Sequence, residues 1–122
     1  MGWPIVHFEI ASPNLDRATE FYRELFDWDV GEERMDGYRL VQTAEGSIGG
    51  GLLRTPEGVF PYVSVYVGVT DLRETLRMAE ELGGKVIVEP MPVPGVGEFA
   101  MFQDPDGVMM GLFEERSDAT DG

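Results

Sequence analysis

Along residues 4–11, PIVHFEIA, apolar and polar side chains alternate with the period of a half-buried strand. Val6, Phe8 and Ile10 fall on one face, and Ile5, His7, Glu9 and Ala11 on the other. The period then changes. After Ser12-Pro13-Asn14, a polar group suited to capping a helix, Leu15, Ala18, Phe21, Tyr22 and Leu25 recur at spacings of three and four. That stripe predicts a helix packed on a sheet, with Asp16, Arg17, Glu20, Arg23 and Glu24 towards water. Strand-like runs follow at 28–33, 38–43 and 47–53, separated by turns at Met35-Asp36-Gly37 and Glu45-Gly46. Glycine packs nothing, so Gly49-Gly50-Gly51 inside the last run predicts a bulge or a close approach to the backbone.

The same order returns after a polar, turn-rich linker at 54–58. Residues 61–69 alternate, with Tyr62, Ser64 and Tyr66 on one face and Val63, Val65 and Val67 on the other. Thr70-Asp71 caps a helix whose stripe is Leu72, Leu76, Ala79 and Leu82, and Gly83-Gly84 stops it. A strand at 85–89 precedes a breaker-rich loop at 90–97, PMPVPGVG, expected at the rim of a site. Residues 99–115, FAMFQDPDGVMMGLFEE, then read as two strands joined by a tight Asp-Pro-Asp-Gly turn.

The closing hairpin has a counterpart 61 positions earlier: Tyr38, Leu40, Gln42, Gly46, Ile48, Gly50 and Leu52 fall on Phe99, Met101, Gln103, Gly107, Met109, Gly111 and Phe113. Gln42 and Gln103, just before the turns, are expected to hold them. An internal duplication follows, each half β-α-β-β-β. The expected class is α+β, with two βαβββ repeats pairing into one curved, cup-shaped mixed sheet and helices on its convex face. One domain should span 1–116, with repeats at about 4–54 and 60–116 and a disordered tail at 117–122.

Composition narrows the partners. Twenty-three acids against nine bases give a net charge of −14, and Lys85 is the single lysine. A polyanion would be repelled, so nucleic acid is excluded as a partner. The charge fits either a solvated acidic surface, as in salt-adapted proteins, or a groove that attracts a cationic ligand. With no cysteine there is no disulfide, thiol nucleophile or cysteine metal site. No apolar run reaches membrane-span length and the first residues lack a signal-peptide pattern, so a cytoplasmic location is expected.

Together, HFEI…LDRATEFYRELFDW near the start and FAMFQDPDGVMMGLFEE near the end resemble the vicinal oxygen chelate superfamily, which contains glyoxalase I, bleomycin-resistance proteins and extradiol dioxygenases. The resemblance covers about 7–115 and is greatest to a glyoxalase-like subgroup. It implies a small-molecule cup, a homodimer, and, in metal-dependent members, four ligands from the first, fourth, fifth and eighth strands. Carried onto this chain, those positions are His7, Gly50, Tyr62 and Gly111, of which only His7 is a good ligand. A complete metal site is therefore not expected, although Glu9 beside His7 could supply one further ligand to a divalent ion.

The cup lining expected from the pattern is His7, Glu9, Gly50, Tyr62, Ser64, Tyr66, Met109, Gly111 and Phe113, with the glycines opening space where ligands would stand. His7, with an unperturbed pKa near 6.5, and Glu9 are the candidate acid/base groups. Three functions stay open on the residues: a glyoxalase-like lyase or isomerase on a small oxygenated compound, a metal-free protein sequestering an antibiotic or other cationic toxin, and an interaction module with a vestigial cup.

Overall fold

The computed structural model of the chain describes residues 2–34 and 37–116. Met35 and Asp36 of the expected turn, and the tail at 117–122, lie outside the described residues. The elements run β1 (Ile5–Ser12), α1 (Leu15–Phe26), β2 (Asp29–Val30), β3 (Tyr38–Gln42), β4 (Gly49–Arg54), β5 (Tyr62–Gly68), α2 (Leu72–Glu81), β6 (Lys85–Val93), β7 (Gly97–Gln103) and β8 (Met109–Glu115). The class is α+β, as the pattern predicts, with strands paired both parallel and antiparallel and the order βαβββ occurring twice. No described helix is long and apolar enough to cross a membrane.

The chain divides into two compact units, His7–Ser64 and the remainder, which joins the first six residues to the segment from Val65 onward. In the first unit the strands lie in the order β2-β3-β4-β1. β1 runs parallel to β4, with His7 opposite Gly49 and Glu9 opposite Gly51, while β3 runs antiparallel to β4 with Tyr38 opposite Leu53 and Leu40 opposite Gly51. Asn14 caps α1 by accepting the Arg17 N–H at 3.0 Å. Leu15, Val30, Val41 and Leu52 form the core under the helix, joined by Phe8, Ile10, Ala18, Tyr22 and Trp28. Burying one such leucine stabilises by about 2–3 kcal/mol. The apolar face of β1 that the alternation defines is thus the helix side, and His7 and Glu9 stand on the other.

The second unit repeats this with β8, β7 and β6 following β5 in order. β5 runs parallel to β8, with Tyr66 opposite Gly111. Val69, Leu72, Leu76, Ala100 and Leu112 form its core, against Val67, Val86 and Phe102. Two bonds start α2: Asp71 accepts the Glu74 N–H at 3.1 Å, and Glu114 of β8 accepts the Leu72 N–H at 2.8 Å. The N-terminal segment belongs here because the Gly68 N–H donates to the Pro4 carbonyl at 2.8 Å, and a Cβ at Gly68 would meet Val6 at 2.9 Å.

Two elements depart from the expected lengths. β2 keeps only two of six residues, because after Val30 and Trp28 have met the core the chain from Gly31 to Arg34 is exposed. β6 instead continues to Val93, so most of the expected 90–97 loop is strand. Its prolines are tolerated because β6 lies at the end of the strand order, and its pairing with β7 slips between Val86 and Met91. The turns themselves are held by Thr43, donating to the Ile48 carbonyl, and by Asp104, which accepts the N–H groups of Asp106 and Val108.

Candidate functional site

In the first unit, the face of the sheet away from α1 gathers His7 and Glu9 of β1 with Tyr38 of β3 and Tyr62 of β5. The Tyr38 hydroxyl lies 2.9 Å from His7 Nε2, and the two rings are nearly parallel, 15° apart with centroids at 6.4 Å. Tyr62 donates its hydroxyl to Glu9 Oε2 at 2.8 Å. Glu9 is only 6% exposed and His7 is half-buried. Burial holds the His7 imidazole below its ordinary pKa, with the Glu9 charge pulling weakly the other way. Burial, and then the Glu9 carboxylate, push the Tyr62 phenol up, so it remains a proton donor at neutral pH. A neutral imidazole and a carboxylate, each held by a phenol, can accept or deliver a proton to a bound molecule.

The glycines do not leave open space. A Cβ at Gly51 would collide with the hydroxyl end of the Tyr38 ring, and one at Gly50 with the Phe8 ring, so the glycine run marks close approach and β4 pairs through it without a bulge. Gly50 is opposite Phe8 and therefore lies on the helix side, not on the face of His7. The reason is one residue of turn. Six residues, 43–48, separate Gln42 from Gly49, against five, 104–108, between Gln103 and Met109. The 61-residue offset that aligns β3 with β7 becomes 60 at β4 and β8, because Leu40 faces Gly51 as Met101 faces Gly111. A one-residue slip exchanges the faces of a strand. The β4 position on the open face is thus Gly51.

The same registers move the fifth-strand position. Glu9 opposite Gly51 corresponds to Tyr66 opposite Gly111, so the counterpart of His7 is Ser64, two residues beyond Tyr62. Ser64 is buried, at 4% exposure. Tyr62 instead serves Glu9.

In the second unit the face away from α2 carries Tyr66, Phe99, Met101, Gly111 and Phe113, with Met109 two residues before Gly111 on the same side. The Tyr66 ring fills the space over Gly111, its hydroxyl lies 4.0 Å from Met101 Sδ, and Phe99 meets it edge-on at 6.3 Å. This half has a packed apolar face with no acid or base at the positions of His7 and Glu9.

These residues do not fit the four-ligand metal centre that the resemblance implies. The positions hold one imidazole, a buried serine hydroxyl and two glycines roofed by tyrosine rings, which is a poor donor set for a divalent ion. Among the described residues, no three His, Asp or Glu side chains converge so that they could hold a metal.

Two features went unread in the sequence. Tyr38 partners His7, and the signal for it was its match to Phe99 in the repeat, a ring gained a hydroxyl. The other is a hollow of about 390 Å3 on the helix side of β1, lined by Phe8, Ile10, Trp28, Thr43, Ser47, Ile48 and Val63. Trp28 forms part of its wall, packed against Phe8, Tyr22 and Phe26 at centroid distances of 5.6, 5.6 and 4.9 Å.

A candidate glyoxylase of Mycobacterium tuberculosis, CFP32, is 34% identical over 109 residues, covering 87% of this chain and 42% of the relative. The anthracycline biosynthesis protein DnrV of Streptomyces peucetius is 27% identical over 126 residues, covering 88% of this chain and 46% of its own length. The chain thus spans less than half the length of these relatives. Among solved structures, methylmalonyl-CoA epimerase from Mycobacterium tuberculosis has the same fold, with a TM-score of 0.72 at 19% identity over 97% of this chain and 91% of that one. A superfamily member from Vibrio splendidus 12B01 superposes with a TM-score of 0.68 at 16% identity, over 94% and 100%. The sequence model of the family described as Glyoxalase/Bleomycin resistance protein/Dioxygenase superfamily matches residues 4–112, and the chain belongs to that superfamily.

Proposed function

We propose that the chain binds a small oxygenated organic molecule on the open face of its first unit and moves a proton on it without a metal, with His7 as the acid/base group and Glu9 as the second. The observation that carries this is that His7 and Glu9, neighbours on one face of β1, are each paired with a phenol from another strand: Tyr38 with His7 and Tyr62 with Glu9. Buried polar groups are normally satisfied for structure alone. An imidazole kept neutral beside a nearly buried carboxylate, on a sheet face that the helix leaves uncovered, is also an arrangement suited to proton abstraction. The name of the mycobacterial relative agrees with a glyoxalase-like reaction.

A second reading has its own observation. The hollow over Trp28 is an open, mostly apolar depression whose lining includes the hydroxyl residues Thr43 and Ser47. It suits sequestration of a flat aromatic compound, and the anthracycline name of the Streptomyces relatives points to that class.

One screen separates the two. Chelator-stripped protein is scanned by thermal shift against small carbonyl and hydroxy acids, thioesters and anthracyclines, in wild type, His7→Ala and Trp28→Leu. A ligand at 100 times its dissociation constant stabilises by about 2.7 kcal/mol, a shift of several degrees. Hits abolished by His7→Ala and kept in Trp28→Leu support the first reading. Hits that survive His7→Ala and vanish in Trp28→Leu replace it with the second.

A further inference from the structure

Antiparallel and parallel strands alike lie about 4.8 Å apart, so β3 and β1, with β4 between them, are separated by about 10 Å. Two side chains on those strands meet only if they reach across β4, and only if β4 puts nothing in the way. His7 is opposite Gly49, Tyr38 is opposite Leu53, and Gly51 is midway between those two positions on the same face. The line from Tyr38 to His7 therefore crosses Gly51. The ring lies over that glycine where a Cβ would be, and the hydroxyl arrives 2.9 Å from Nε2.

We propose that Tyr38 is the positioning residue of His7, and that Gly51 is glycine to let it pass: the three form one acid/base unit spanning three strands, present in the first half of the chain only. The proposal rests on the reading of His7 as the acting group of this face, and it names what sets that group's orientation and tautomer. A phenol donating to Nε2 favours the neutral imidazole with its proton on Nδ1, and ties down the ring that must meet the substrate.

The other half shows what the same backbone does without this unit. Phe99, the counterpart of Tyr38, stands opposite Phe113 and has no hydroxyl to offer. Ser64 occupies the place of His7. The space over Gly111 is filled from the neighbouring strand by Tyr66, whose hydroxyl turns to the Met101 sulfur. Both glycines admit a tyrosine, but only the one at 51 admits a tyrosine that ends on an imidazole. Plain filling of space explains Tyr66 and leaves the hydroxyl of Tyr38 unexplained.

The test exploits the single histidine of the chain, whose imidazole nitrogens give an unambiguous NMR signature of tautomer and protonation. Tyr38→Phe keeps the ring over Gly51 and removes one oxygen, so the fold is retained. Wild type should show one dominant tautomer. Tyr38→Phe should mix the two tautomers and move the His7 titration upward, and Gly51→Ala, by displacing the ring, should reproduce that spectrum. Gly111→Ala, which collides with Tyr66 in the other half, should lower stability and leave the His7 signals alone. An unchanged His7 spectrum in Tyr38→Phe overturns the unit, whatever the protein binds. A changed one establishes it even where His7→Ala later proves to bind every ligand as wild type does, because the readout needs no ligand.

Discussion

His7 shows what a single half-buried residue does to the pH profile. Burial lowers its folded-state pKa from the ordinary 6.5, so the unfolded chain binds its proton more readily than the folded one. Stability then rises with pH wherever the unfolded state holds the extra proton. The contribution is fully present above 6.5 and is lost as pH falls from there through the lowered folded value. Asp and Glu residues whose native pKa is depressed, such as Glu98 beside Arg73 and Arg116, lose their contribution at more acid pH, through their own titration range. The two can therefore be separated. We expect urea midpoints of the wild type to drop between pH 6.5 and 5.5, and those of His7→Gln, which cannot titrate, to stay level across the same interval. Parallel curves for the two proteins would mean that His7 is as solvated folded as unfolded.

At the scale of the element, the repeat, both helices and the hairpins were legible because each rests on a local period or cap. α2 illustrates this. Asp71, recognisable as a cap from sequence, accepts the Glu74 N–H, and Asp71→Ala should cost about 1 kcal/mol, a fall of a few degrees in Tm. A loss near zero would mean that Glu114, which holds the Leu72 N–H from β8, caps the helix alone. What stayed hidden depends on register, which no local period encodes. The extra residue in the 43–48 turn put Gly51 rather than Gly50 on the open face. The counterpart of His7 proved to be Ser64 rather than Tyr62, since only the pairing of β1 with β4 and β5 with β8 fixes the correspondence. Tyr38 was hidden for a related reason: a tyrosine in a strand reads as ordinary packing until its partner two strands away is known. The extension of β6 through Pro90 and Pro92 was hidden because proline signals a break, and an edge strand needs fewer of its N–H groups.

For the whole molecule the dominant quantity is charge. Twenty-three acids against nine bases leave fourteen negative charges uncompensated, more than the surface ion pairs can offset. Those pairs are short-range and lie at the surface, with at least one exposed or half-exposed partner each: Arg77 with Glu74 and Glu81, Arg73 with the more covered Glu98, and the more covered Arg39 with Asp16 and Glu33. Each contributes little and loses part of that in salt. The repulsion among the remaining acids acts over the screening length, about 30 Å at 0.01 M and 8 Å at 0.15 M ionic strength, so salt removes most of it. The second effect should win, and the urea midpoint should rise as sodium chloride increases from 0.01 to 0.5 M. A falling midpoint would mean that the pairs outweigh the excess charge. The same field acts on ligands with the opposite sign of salt dependence. A cationic ligand is drawn to an acidic surface, and its association rate falls as salt screens that attraction. If binding of a cation weakens over the interval in which the fold gains stability, the acidity serves recognition. If binding is indifferent to salt while stability climbs, the charge belongs to the solvated surface alone, and the neutral imidazole of His7 is left as the feature that selects the ligand.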